Sequence, residues 1–142
     1  MGSGGEAGTR VEGMDEVSMQ KILVVEDNSV TRALLESTLD LEGYEVSSVS
    51  SGEAVAAQLA GNLPALVILD VMMPGMDGFA VLKQIRESER TAEMPVVMLT
   101  AMDDPDSTWK GWRTGCNYYM NKPFEPEELL AVVADLVHGV AA

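Results

Sequence analysis

The chain has 142 residues, enough for one domain around a single core. It is 46% hydrophobic, yet no apolar run approaches the roughly 20 residues of a membrane span, and no basic stretch leads into a long apolar one at the start, so neither a spanning helix nor a secretory signal is expected and the cytoplasm is the default location. The formal net charge of −14 argues against direct nucleic-acid binding, and the lone cysteine, Cys116, excludes an intrachain disulfide and a metal site built on paired thiolates.

Residues 1–18 mix Gly2, Gly4, Gly5, Gly8 and Gly13 with Ser and Glu, without apolar periodicity. They read as a flexible tail or a cloning remnant. From Lys21 the pattern becomes regular. Ile22–Val25 is a continuous apolar run, as in strands buried on both faces of a parallel sheet. A helix is predicted over about Ser29–Leu41, ending near Gly43. Tyr44–Val49 mixes apolar residues with Glu and Ser and suits a partly exposed edge strand. Gly52–Ala60 is Ala-rich and predicts a second helix, stopped by Gly61. Leu66–Leu69 is the next buried run. The turn Pro74-Gly75-Met76-Asp77-Gly78 then leads into a third helix with Phe79, Leu82 and Ile85 on one stripe. Val96–Leu99 predicts a fourth strand, and a fourth helix near Asp106–Thr114 ends at Gly115. Tyr118–Met120 is a short fifth strand. The last helix opens on Pro126 and two glutamates and sets Leu129, Val132, Val133, Leu136 and Val137 on one face. Strands alternating with helices in this way predict an α/β sheet with right-handed crossovers. In such sheets ligands bind at the carboxyl ends of the strands.

Polar residues stand at those ends. Glu26 and Asp27 follow the first strand, Asp70 the third, Thr100 the fourth and Lys122 the fifth. In a parallel sheet all of them project from one rim. Three carboxylates a few ångströms apart repel unless a cation intervenes. Mg²⁺ suits such a set, because it takes oxygen ligands and keeps several waters, which leaves room for a phosphoryl oxygen. Lys122 can pair with a second phosphoryl oxygen as a point charge, and Thr100 can donate to a third. Asp70 is then placed as a carboxylate nucleophile, with its neighbours stabilising charge on the phosphoryl group in transfer.

The stretches Leu23-Val24-Val25-Glu26-Asp27-Asn28, Leu69-Asp70-Val71-Met72-Met73-Pro74-Gly75-Met76-Asp77-Gly78, Leu99-Thr100-Ala101 and Lys122-Pro123-Phe124 resemble the receiver domains of two-component response regulators, of the single-domain, chemotaxis-regulator-like kind. The likeness covers about residues 20–138, and the receiver is expected over 19–142. Each motif alone is weak; all of them in order are specific. The resemblance implies a (βα)5, flavodoxin-like fold with strand order 2-1-3-4-5. It implies a phosphorylation-dependent switch that catalyses only its own phosphoryl transfer and dephosphorylation. The donor would be a sensor histidine kinase or a phosphotransfer protein, and the acceptor Asp70. Glu26, Asp27, Asp70 and the backbone carbonyl of Met72 would hold Mg²⁺ or Mn²⁺. Thr100 and Tyr119 would form the switch pair, and Lys122–Pro123 would be a cis peptide. Helix four, strand five and helix five would form the face that changes, meets a downstream protein and allows a dimer, with no direct contact to nucleic acid or membrane. Met72 and Met102 would flank the path of water to the aspartyl phosphate without orienting it, which implies slow self-dephosphorylation.

Blander readings exist for each residue. Glu26 and Asp27 could serve only the dipole of the first helix, and Asp70 alone could cap a turn. A charge directly after a buried strand is, however, costly without a role. Tyr118, beside Tyr119, faces the other side of a regular strand, so Tyr119 follows from the resemblance and not from spacing. The methionines otherwise fill gaps. Trp109 and Trp112 read as packing or as a partner surface, and Cys116 and His138 as structural. A phosphatase of the dehalogenase class wants a second Asp two residues after Asp70, where Met72 stands. A Rossmann-type nucleotide binder wants a Gly-rich loop where Glu26-Asp27-Asn28 stands. A degenerate receiver used only for binding would not need the whole set of site residues.

Overall fold

The computed structural model describes residues 20–101, 110 and 112–138. The expectations for residues 1–18, Met102, Trp109 and the start of helix four fall outside the described residues.

Apolar runs form the centre of the molecule. Strand β1 is Lys21–Val25, β2 Glu45–Val49, β3 Leu66–Asp70, β4 Val96–Thr100 and β5 Tyr118–Asn121. All neighbours pair in parallel, in the order β2-β1-β3-β4-β5. Every residue of β3 and β4 is buried, whereas the edge strand β2 is partly exposed, as its mixed sequence predicts.

Helix α1 is Ser29–Leu41. Its first turn is closed by Asn28, whose Oδ1 accepts from the Thr31 amide at 2.9 Å. It ends where Gly43 takes a φ of 98°. Helix α3, Gly78–Glu87, begins the same way, with Asp77 Oδ1 accepting from the Ala80 amide at 2.9 Å. Helix α4 is described at residues 110 and 112–114 and ends at Gly115. Helix α5 is Pro126–His138, with Glu127 and Glu128 in its first turn. The second helix differs from its prediction. Gly52–Ala54 is a 3-10 turn, and α2 proper is only Val55–Leu59. Neither start has a side-chain cap, and Gly52 is drawn against the loop before α3.

The helices sandwich the sheet. Leu35 and Leu39 of α1 and Leu129 and Val133 of α5 cover one face, over Ile22, Val24, Ile68 and Leu99. Val55 of α2 and Phe79, Val81, Leu82 and Ile85 of α3 cover the other, over Leu23, Leu69 and Met98. The Phe79, Leu82 and Ile85 stripe is therefore core. Arg86, at the end of α3, ties distant turns together. Its guanidinium donates to Gly115 O at 2.9 Å, Thr91 O at 3.4 Å, Ala92 O at 3.2 Å and Asn117 Oδ1 at 2.9 Å. No helix among the described residues is long and apolar enough to cross a membrane.

Candidate functional site

The parallel sheet fixes where the polar residues emerge. Strand pairing reaches one residue further than the apolar runs predict. It pairs Asp70 with Leu99 and Thr100 with Asn121, so both polar residues are held by the ladder itself. The Val71 amide donates to Leu99 O at 3.1 Å and the Lys122 amide to Thr100 O at 2.7 Å, carrying the chain rigidly past each strand end.

Glu26 and Asp70 are almost completely enclosed, 1% and 2% exposed, while Asp27 faces solvent. One carboxylate oxygen from each of the three lies within 4.8 Å of the others. The structure therefore brings Glu26, Asp27 and Asp70 together at one rim of the sheet. Lys122 Nζ stands 2.9 Å from Glu26 Oε1 and 3.3 Å from Asp70 Oδ1. Glu26 Oε2 accepts from the Asn28 amide at 3.0 Å, and Asp70 Oδ1 from the Met72 amide at 3.3 Å. The Lys122–Pro123 peptide is cis. Thr100 is fully buried at the end of β4. Tyr119 is partly buried against the core cluster on the α2 and α3 side of the sheet, whereas Tyr118 packs on the α1 and α5 side and donates to Glu128 Oε2 at 2.9 Å. The two tyrosines thus lie on opposite faces, as regular alternation predicts.

The electrostatics follow from enclosure. Burial, reinforced by the neighbouring Glu26 carboxylate, pushes the Asp70 carboxyl up to about 7, against the opposing pull of Lys122. Burial disfavours the Lys122 ammonium, but Glu26 and Asp70 outweigh it and raise its pKa. One ammonium among three carboxylates leaves the pocket short of positive charge. Glu26 Oε1, fully buried, has the Lys122 ammonium as its neighbour at 2.9 Å, and that one ammonium is shared with Asp70. Hard oxygen donors, convergent and under-compensated, with one solvent-facing member, fit a divalent cation such as Mg²⁺.

Two supporting contacts escape a reading of the sequence. Arg32 donates through Nη1 to the carbonyls of Glu26 at 2.9 Å and Asp27 at 3.5 Å, steadying the loop that bears both acids. Its one sequence signal is a cation near a helix N-terminus, where the dipole disfavours it. Glu53 reaches the loop after β3 from the turn before α2. No local pattern announces that contact. Of the aromatic candidates in α4, Trp112 is 45% exposed. The Cys116 thiol is buried, and that burial pushes it up to about 11 against the opposing pull of Arg86, so the thiol stays protonated.

A doubly wound parallel sheet with an acidic rim and an apposed lysine defines a class of signalling domain, and comparison with known proteins agrees. The family model described as the response regulator receiver domain matches residues 22–134. The chain is 38% identical over 122 residues to the DNA-binding dual master transcriptional regulator RpaA of Synechocystis, spanning 84% of this chain and 49% of that protein. It is 40% identical over 116 residues to the response regulator PleD of Caulobacter vibrioides, spanning 82% of this chain and 26% of that one. The receiver domain of sensor histidine kinase PA1611 from Pseudomonas aeruginosa, solved with a magnesium ion coordinated in its active-site cleft, is similar with a TM-score of 0.79 at 28% identity, covering 85% of this chain and 99% of that one. The chain spans about half or less of the length of the two curated relatives. It belongs to the response regulator receiver domain family. It is thus a receiver domain of two-component signalling, with an acidic cluster compatible with Mg²⁺ and a fold suited to phosphorylation-dependent switching.

Proposed function

We propose that the chain accepts a phosphoryl group on Asp70 from the phosphohistidine of a sensor histidine kinase or a phosphotransfer protein. A carboxylate oxygen of Asp70 attacks phosphorus, the P–N bond to the donor imidazole breaks, and the leaving imidazole takes a proton from water. Glu26, Asp27, Asp70 and the Met72 carbonyl are assigned to Mg²⁺, or Mn²⁺ in its place. Bound there, the ion offsets negative charge on the phosphoryl oxygens. Lys122 pairs with another phosphoryl oxygen, and Thr100 donates to a third. The observation that carries this reading is the buried Asp70 carboxylate, with Lys122 Nζ at 3.3 Å and carboxylate oxygens of Glu26 and Asp27 within 4.8 Å.

Thr100 and Tyr119 relay the modification by shifting the population between two packings. The surface of α4, β5 and α5 meets a downstream protein and offers a dimer contact. The output of this chain is protein-mediated, with no direct contact to nucleic acid or membrane, and its setting is cytoplasmic. The receiver occupies residues 19–142, and residues 1–18 stand outside it. Met72, 58% exposed, leaves attacking water unoriented, so the phosphorylated form is long-lived.

Tryptophan fluorescence during titration with beryllofluoride and Mg²⁺ tests the proposal. The chain is expected to respond, and Asp70→Asn is expected to be silent. An equal response from Asp70→Asn would remove Asp70 as the acceptor. A chain that binds its partner without any response would instead be a constitutive binding module.

A further inference from the structure

The loop that follows β3 is fixed at both base and tip. At the base, the Gly78 amide donates to Val71 O at 2.9 Å. Gly78 lies so near the strand that a Cβ on it would come within 2.3 Å of the Asp70 carbonyl oxygen. At the tip stands a side chain from elsewhere. Glu53 Oε2 accepts a hydrogen bond from the Met76 amide at 3.3 Å. Gly75 presents a bare Cα to the same oxygen. Its φ is +77°, and a Cβ there would stand 2.8 Å from Glu53 Oε2. Gly52 makes the reciprocal approach, since a Cβ on it would meet Met76 O at 2.7 Å and Val81 Cγ2 at 2.8 Å. Two loops are therefore pressed together through two glycines, with one carboxylate as the polar tie. Between these fixings lies Met72, whose amide donates to Asp70 Oδ1.

We propose that Glu53 is a positioning residue for the acidic site, tying the tip of the β3–α3 loop so that Asp70 and the Met72 main chain are oriented to take a divalent cation. This rests on the metal-binding reading given above. Outer partners that orient ligands commonly govern metal affinity, because an unrestrained loop must be ordered at each binding event.

Three variants test it: Glu53→Ala, Glu53→Gln and Arg90→Ala. Arg90 donates to Leu59 O at 2.8 Å and Gly61 O at 3.0 Å, so its loss loosens the end of α2 without touching the β3–α3 loop. Two quantities are read, the hydrogen exchange of the Met76 amide and the Mg²⁺ dissociation constant by titration calorimetry. Glu53→Ala is expected to speed Met76 exchange and to raise the dissociation constant about tenfold. Glu53→Gln keeps an oxygen acceptor and is expected to stay within about twofold of the unsubstituted chain. Arg90→Ala is expected to change neither. Equal Mg²⁺ affinity in Glu53→Ala and the unsubstituted chain overturns the proposal, as does an Arg90→Ala effect as large as that of Glu53→Ala. Absence of Mg²⁺ binding by the unsubstituted chain would overturn the metal reading as well, whereas normal binding with Met76 exchange unaffected by Glu53→Ala would overturn the tie alone.

Discussion

Asp70 carries a conflict between folding and charge. In the folded chain its carboxyl is raised to about 7 from an ordinary 3.8, by burial and by Glu26. The folded state therefore holds a proton that the unfolded state has released. The stability tied to that proton is fully present below about pH 4 and is lost as pH rises through about 7. A cation bound by the carboxylates offsets the loss, and it binds best where no proton competes. Saturating Mg²⁺ is therefore expected to raise the melting temperature more at about pH 8 than at about pH 5. Thermal melts at both pH values, with and without Mg²⁺, check this, and an equal rise at both would count against it. Lys122 gives a second residue-scale prediction. Its ammonium repels a cation in the same pocket and attracts a phosphoryl mimic. Lys122→Met is expected to bind Mg²⁺ about fivefold more tightly and beryllofluoride correspondingly more weakly. Loss of both affinities together would mean that the side chain serves only to hold the pocket's shape.

Among the elements, α3 is the one the site depends on most closely. Its first residue, Gly78, packs on the backbone of Asp70 and Val71, which cannot yield as a flexible side chain would. Gly78→Ala is expected to lose about 3 kcal/mol of stability in denaturant titration and to reduce beryllofluoride binding. Asn28→Ala, which removes only the α1 cap, is expected to cost about 1 kcal/mol and to leave a folded, responsive chain. The strands were readable in advance because Ile22–Val25, Leu66–Leu69 and Val96–Leu99 are unbroken apolar runs, and full burial on two faces demands that. The gathering of Glu26, Asp70 and Thr100 at one rim was legible because each directly follows such a run, whereas Lys122 follows the mixed strand β5 and the choice of Tyr119 came only from the resemblance. The form of α2 was not. A run of Ala, Gly and Gln around Val55 has no strong period, and contact with the β3–α3 loop decides where it coils. Glu53 stayed hidden for a related reason. Its partner is Met76, and no spacing rule links two loops that only tertiary packing brings together.

At the scale of the molecule, the family match begins at residue 22, just after β1 has started. Deleting residues 1–18 is expected to leave the melting temperature and the beryllofluoride response unchanged. A clear fall in either would make that segment part of the domain. The arrangement also separates two jobs across the sheet. One layer, with α1 and α5, stands beside Lys122 and the cis peptide. The other, with α2 and α3, braces the β3–α3 loop and has Tyr119 packed against it.

Arg86 bears on how that second layer is held together. One guanidinium grips the carbonyl of Gly115, the side chain of Asn117 and the turn at residues 91–92, so the tail of α4 is moored to α3. Losing that one side chain therefore unfastens the turn at residues 91–92 and the stretch 115–117 together, rather than loosening α3 alone.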